Sequence, residues 1–67
     1  MDDKIKELLV EIFETDNFDS STKLDELLWD SIGMISFIAS VDDVFEKVVD
    51  ADSLEDCKTV QGLIDLI

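Results

Sequence analysis

The chain has no histidine, no proline, no arginine, no tyrosine, one cysteine and two glycines in 67 residues. Each shortage removes a class of explanation. A lone cysteine cannot form an intramolecular disulfide, and without histidine the nitrogen and sulfur ligands of a structural zinc site are missing. No Cys-His pair or His-centred cluster is available for catalysis, so an enzymatic role is not expected. No apolar run approaches the roughly 20 residues that span a bilayer. Met1-Asp2-Asp3 also lacks the basic start of a signal peptide, so the expectation is cytoplasmic, with no membrane insertion.

Positive charge is the other scarce quantity. Five lysines stand against 18 acidic side chains, a formal charge of −13. Such a surface repels a phosphate backbone, which argues against nucleic acid, and it steers partners that present basic patches. The acidic segments around Asp16 and Asp50 lack the alternating ligands and sixth-position glycine of an EF-hand. A metal site is not expected.

What remains is helical patterning. Ile5, Leu8, Leu9, Ile12 and Phe13 share one face of a first helix, with Glu7, Glu11 and Glu14 on the other. Between Thr15 and Asp30 polar residues break the period, while Phe18, Leu24 and Leu27 are placed to tuck inward and anchor the loop. A second helix is expected from about Ser31 to Lys47, with Met34, Phe37, Ile38, Val41 and Phe45 as its core stripe. Ser53 and Asp56 resemble a capping box for a short turn at Ser53 to Cys57, and Thr59 is placed to cap a last helix whose inward stripe is Val60, Leu63, Ile64 and Ile67. The fold class is therefore all-α, a small four-helix bundle of three main helices and one short one, in a single domain over 1–67. Cys57 is expected to face inward as a reduced, small apolar side chain.

Ile32, Ile35 and Ala39 fall on the opposite side of the second helix from its core stripe, beside Asp42, Asp43 and Glu46. Either they pack under the preceding loop, or they form an exposed apolar strip with an acidic border, suited to docking another protein. Trp29, just before the helix, either packs against the bundle or meets a partner.

One residue at the start of that helix has a chemical reading. Ser31 follows a carboxylate, Asp30, where a polar loop gives way to an amphipathic helix. There the hydroxyl is exposed, and the free N–H groups and positive dipole end suit a phosphate attached to it. Asp-Ser also occurs at Asp19-Ser20 and Asp52-Ser53, so position must discriminate. Only Asp30-Ser31-Ile32 is preceded by a helix and a long loop and followed by a long helix, a short turn and a final helix. The alternative is that Ser31 merely begins a helix capped by Asp30.

This order resembles the acyl carrier protein family, in which a serine within an Asp-Ser-Leu motif accepts a 4'-phosphopantetheine arm. From Asp30 to Ile67 the layout runs in register, with Phe45 at the aromatic position near the end of the second helix and Thr59-Val60-Gln61 similar to a common opening of the last. Asp52-Ser53-Leu54 has the literal family spelling in the wrong place, and the first loop is a few residues shorter than usual. The resemblance implies a stand-alone, monomeric carrier of thioester-linked acyl groups, modified on Ser31 by a phosphopantetheinyl transferase. Asp30 would be a helix cap or a transferase contact, and Trp29, Ile32, Ile35, Ala39, Asp42, Asp43 and Glu46 would face acyl- or aminoacyl-loading and biosynthetic enzymes with basic docking patches. Gly33 and Ser36 stand where acyl carriers often have carboxylates, and Gly33 is similar to D-alanyl and other aminoacyl carriers. The competing reading from another class is an unmodified acidic adaptor that binds through Ile32, Ile35 and Ala39.

Overall fold

The computed structural model describes residues 2–67, which form α1 (Asp3–Phe13), a 3-10 turn (Leu24–Glu26), α2 (Ser31–Phe45), α3 (Ala51–Glu55) and α4 (Val60–Ile64), with no strand among the described residues. The architecture is the small four-helix arrangement expected of an acyl-carrier bundle, although α4 has only five residues, so two helices are long and two are short.

Helix α1 starts where the Asp2 carboxylate accepts the Lys4 N–H at 2.8 Å. Its Leu8, Leu9, Ile12 and Phe13 are buried while Glu7 and Glu11 stay in solvent, the division that its 3.6-residue period dictates. It lies along α2, whose Phe37 and Val41 are completely buried and whose Met34, Ile38 and Phe45 are half-buried. The core joins these residues to Phe18, Leu24, Val49, Leu54, Val60 and Leu63.

Two helix ends differ from the sequence expectation. Helix α2 stops at Phe45 rather than continuing to Lys47, because Glu46 turns into the left-handed region at φ 55° while its N–H still reaches the Asp42 carbonyl. The short helix is capped by Asp50, whose carboxylate accepts the Asp52 N–H at 3.1 Å, and so it begins before Ser53. Ser53 is an interior residue of α3, not the cap of a box with Asp56.

The loop between α1 and α2 is tied down at both sides. Phe18 stacks edge-on against Phe13 at 5.2 Å, and Lys6 covers the Phe18 ring at 4.4 Å while donating to the Asp16 and Phe18 carbonyls. Further along, the Thr22 carbonyl accepts the Val60 N–H at 3.0 Å, the Ser20 carbonyl accepts the Gln61 N–H at 2.8 Å, and the Leu24 N–H donates to Lys58. Loop carbonyls thus satisfy the orphan donors of α4, and the Thr59 side chain, although at the N-cap position, makes no capping bond. Asp19 fastens the turn. Hydrogen bonds from the Ser21 hydroxyl and N–H, then from Thr22, hold its carboxyl below the usual range. That contribution is present while Asp19 is ionised and is lost as pH falls through its lowered folded value.

Close approach explains one glycine. A side chain at Gly62 would bring a Cβ to 3.3 Å from both Cβ and Sγ of Cys57, so α4 packs against the end of α3 through a bare backbone. Cys57 itself is half-buried, and its thiol donates to the Ser53 carbonyl at 3.4 Å. Burial, with the negative charges of Asp56 and Asp65, pushes the thiol up from its ordinary value and disfavours the reactive thiolate.

Candidate functional site

The start of α2 is built from its cap outward. Asp30 has extended backbone, and its Oδ1 accepts the Gly33 N–H at 2.9 Å while its carbonyl accepts the Met34 N–H at 2.9 Å. This carboxylate is therefore engaged with the helix rather than turned toward Ser31, the arrangement that makes aspartate a strong N-cap. Ser31 is the first helical residue and is exposed. Its own N–H and that of Ile32 belong to the first turn, which has no intrahelical partners for them. The hydroxyl thus stands at the positive end of a 15-residue helix, with donors beside it for the oxygens of a phosphodiester.

The other two Asp-Ser pairs are placed differently. Ser20 lies in the stitched turn and is half-buried, with its carbonyl committed to Gln61. Ser53 is half-buried within α3, with its carbonyl accepting the Cys57 thiol. Neither begins a helix.

Around Ser31 the surface is apolar. Ile32 is 74% exposed and Ile35 67%, and Ala39 continues the strip in solvent, so these residues do not pack under the loop. Asp42, Asp43 and Glu46 are all exposed. By helical period Asp42, Asp43 and Glu46 all border the strip, Asp43 on the edge toward α1, where it also lines a groove with Val44 and Leu8. Leu28, half exposed, adds to the apolar surface before the motif. The sequence pattern did not single it out, because loop residues carry no period from which a facing direction can be read.

Trp29 is half-buried, edge-on to Phe13 at 5.9 Å and to Phe37 at 6.0 Å, and so ties the loop just before Ser31 to the core. Its remaining surface lines a hollow with Lys23, Cys57, Lys58 and Thr59. Gly33 faces the same packing. A Cβ there would sit 3.5 Å from the Asp30 carboxylate and the Trp29 ring and 3.6 Å from Ile12, ordinary contact, so space does not demand glycine at this position.

Two further side chains belong to the surroundings of the motif. Ser36 and Ser40 follow Gly33 along the α1-facing side of α2 and line an open groove of about 520 Å3 with Glu11, Ile12, Leu28 and Ile32. Among the described residues no cluster of His, Cys, Asp and Glu suited to a metal ion occurs, and no helix is long and apolar enough to cross a membrane.

Comparison with protein families gives a match over residues 3–67 to the model described as phosphopantetheine attachment site. Comparison with curated proteins and with solved structures gives no match.

Proposed function

The chain belongs to the phosphopantetheine-attachment family of acyl carrier proteins, and from that membership we propose that Ser31 is the residue to which the arm is joined. It is a carrier and not an enzyme, and its covalent 4'-phosphopantetheine takes acyl groups as thioesters for the enzymes of fatty-acid and lipid biosynthesis. The unmodified-adaptor alternative is thereby set aside. Family membership implies a phosphopantetheinyl transferase and biosynthetic enzymes as partners.

The observation that carries the assignment to Ser31 is its exposed hydroxyl at the start of the one long helix that follows an Asp-Ser pair. In the attachment step the Ser31 hydroxyl gives its proton to a base on the transferase. Its oxygen bonds to the phosphorus on the pantetheine side of coenzyme A, and the bond from that phosphorus to the nucleotide half breaks with its electron pair. The free N–H groups of Ser31 and Ile32 would be the donors available to the phosphodiester oxygens, since the Gly33 N–H is held by Asp30. A thiol at the far end is what the arm supplies, since the ordinary thiol pKa of about 8.5 makes thiolate a far better leaving group than alkoxide. Incubation with coenzyme A and a broad-specificity transferase should add one arm per chain, mapped by fragmentation to Ser31. Mapping to Ser20 or Ser53 overturns the assignment.

Asp30 has a structural duty that separates its two proposed roles. Asp30→Asn keeps an oxygen for the Gly33 N–H and should leave stability nearly unchanged, whereas Asp30→Ala should cost about 1 kcal/mol, measured by denaturant unfolding. If the Asn variant is loaded as fast as the parent, the carboxylate acts only as a cap. Slower loading of a fully folded Asn variant marks a charge read by the transferase.

The exposed Ile32, Ile35 and Ala39, bordered by Asp42, Asp43 and Glu46, support a docking face for enzymes with a basic rim around an apolar centre. Ile35→Glu should change stability by no more than about 0.5 kcal/mol, as for an exposed position, while raising the KM of a partner enzyme for the loaded carrier. Unchanged KM would remove Ile35 from the interface.

A further inference from the structure

We propose that the hollow beside Trp29 receives a carboxylate of the phosphopantetheinyl transferase, so that the enzyme meets the chain at two places of opposite charge. This inference rests on the docking face of α2 and on Ser31 as the enzyme's target. The hollow, of about 450 Å3, lies where the α1–α2 loop crosses the start of α4. Lys23 and Thr59 form an antiparallel bridge there, flanked by the Leu24 N–H donating to the Lys58 carbonyl and the Val60 N–H to the Thr22 carbonyl. That ladder brings Lys23 and Lys58 together, and both line the hollow. Two of the chain's five lysines therefore share one place, whereas the groove between α1 and α2 has Lys4 alone against Glu7, Glu11, Glu14, Asp30 and Asp43. Asp25 is the one carboxylate in the wall of the hollow, which leaves it a single net positive charge.

The chemistry around that charge suits an aspartate or glutamate side chain. Buried Leu24 and half-buried Trp29 and Cys57 give an apolar floor for its methylene groups. The Thr59 hydroxyl also lines the hollow, and because it makes no capping bond it is free to donate to a carboxylate oxygen beside the two ammonium groups. A free anion is repelled by a chain of formal charge −13, so the carboxylate must arrive on a protein already held at the acidic border of α2. The transferase fits that requirement best. It must reach the Ser31 hydroxyl itself, while enzymes that work on the thiol can stand off by the length of the arm. The Trp29 Cα lies no more than about 7.6 Å from that of Ser31, two peptide steps away, well inside an interface of about 800 Å2 per partner. Opposite charges at the two places also fix the enzyme's orientation, since a reversed approach sets like charges against each other.

The test compares Lys23→Gln/Lys58→Gln and Lys23→Glu/Lys58→Glu with the parent as substrates of the transferase from the chain's own organism, varying carrier and coenzyme A separately. Both pairs should raise the KM for the carrier, the Gln pair about fivefold, within the worth of two exposed ion pairs, and the Glu pair further. The kcat and the KM for coenzyme A should not move. The sign of the change is decisive. If only the overall field acted, making an acidic chain more acidic would improve its capture by a basic enzyme face and lower the KM. A lowered or unchanged carrier KM therefore overturns the proposal. So does a rise confined to the KM for coenzyme A, which would assign the lysines to the phosphates of that substrate. Both lysines are exposed and the bridge is made by backbone groups, so the Gln pair should keep the parent's circular dichroism and decides the matter even if the Glu pair misfolds. Ile35→Glu in the same assay separates the readings. If it raises the KM while the lysine pairs do not, the docking face stands and the hollow is removed; an unmoved Ile35→Glu removes the face and the two-place contact with it. A parent that takes no arm on Ser31 ends the attachment reading at the mass measurement, before any kinetics.

Discussion

Ser31→Ala is expected to take up no phosphopantetheine at all, while Ser20→Ala and Ser53→Ala are loaded like the parent. The all-or-none size of this effect follows from the chemistry, since alanine has no oxygen with which to form the phosphodiester. It is also separable from folding. Ser31 is exposed, the cap of α2 belongs to Asp30, and alanine is the best helix former for a first-turn position. The circular dichroism and unfolding midpoint of Ser31→Ala should therefore equal the parent's. Ser53→Ala is the informative control, because Asp52-Ser53-Leu54 carries the more familiar spelling in a half-buried helix interior. Intact mass after incubation with coenzyme A and a transferase reads all three variants. An arm that persists on Ser31→Ala, or that disappears from a folded Ser53→Ala, would remove Ser31 from the site.

Position could discriminate among the serines from sequence because a helix start is a pattern of spacing, and spacing survives in a single sequence. Phe37 and Val41 at helical intervals place the core side of α2, and Asp30 before that run places its cap. The helix end was harder to read. Glu14 and Glu46 both adopt left-handed backbone, at φ 56° and 55°, where glycine is the usual signal, and neither α1 nor α2 has one there. Without that signal the apolar period of α2 extends past Phe45 into Lys47. The short helix was misplaced for a different reason. Asp50, Asp52, Ser53 and Asp56 are all competent caps, and only the tertiary position of the buried Leu54 selects Asp50. The opening of α4 at Thr59-Val60 is legible, but the partners of its first donors are not, since these are carbonyls of Ser20 and Thr22, some forty residues earlier in the chain.

The same spacing explains how one helix serves three surfaces. Advancing about 100° per residue, α2 sends Phe37 and Val41 to the core, Gly33, Ser36 and Ser40 toward α1, and Ile35 and Ala39 to solvent. Ile32 lies between the second and third of these, next to Ser31. The composition of each side follows from what it meets: large apolar side chains where water is excluded, small hydroxylated ones along the groove, and isoleucine with carboxylates at its border where a partner must be both attracted and released. A modest separation of apolar and polar sides on α2 is the consequence, because two of its three surfaces are apolar.

So small a domain makes the core surface decisive for everything else. Phe37→Ala is expected to cost about 3–5 kcal/mol, the range for truncating a buried phenylalanine. Phe37 is completely buried and closes a row of edge-on rings that runs through Trp29 and Phe13 to Phe18. At about 0.05–0.15 kcal/mol per residue, a 67-residue chain has only some 3–10 kcal/mol in total, so the substitution removes a third of its stability or all of it. Denaturant unfolding followed by Trp29 fluorescence should show a large drop in midpoint, since Trp29 packs on the deleted ring. Loading of Ser31 should then fall in proportion to the unfolded fraction and recover when the variant is cooled or otherwise stabilised, unlike Ser31→Ala, which no condition rescues. An unchanged midpoint would mean that the ring does not bridge the loop and α2. In that case the placement of Ser31 at the head of the helix would need another support than the Trp29–Phe37 contact.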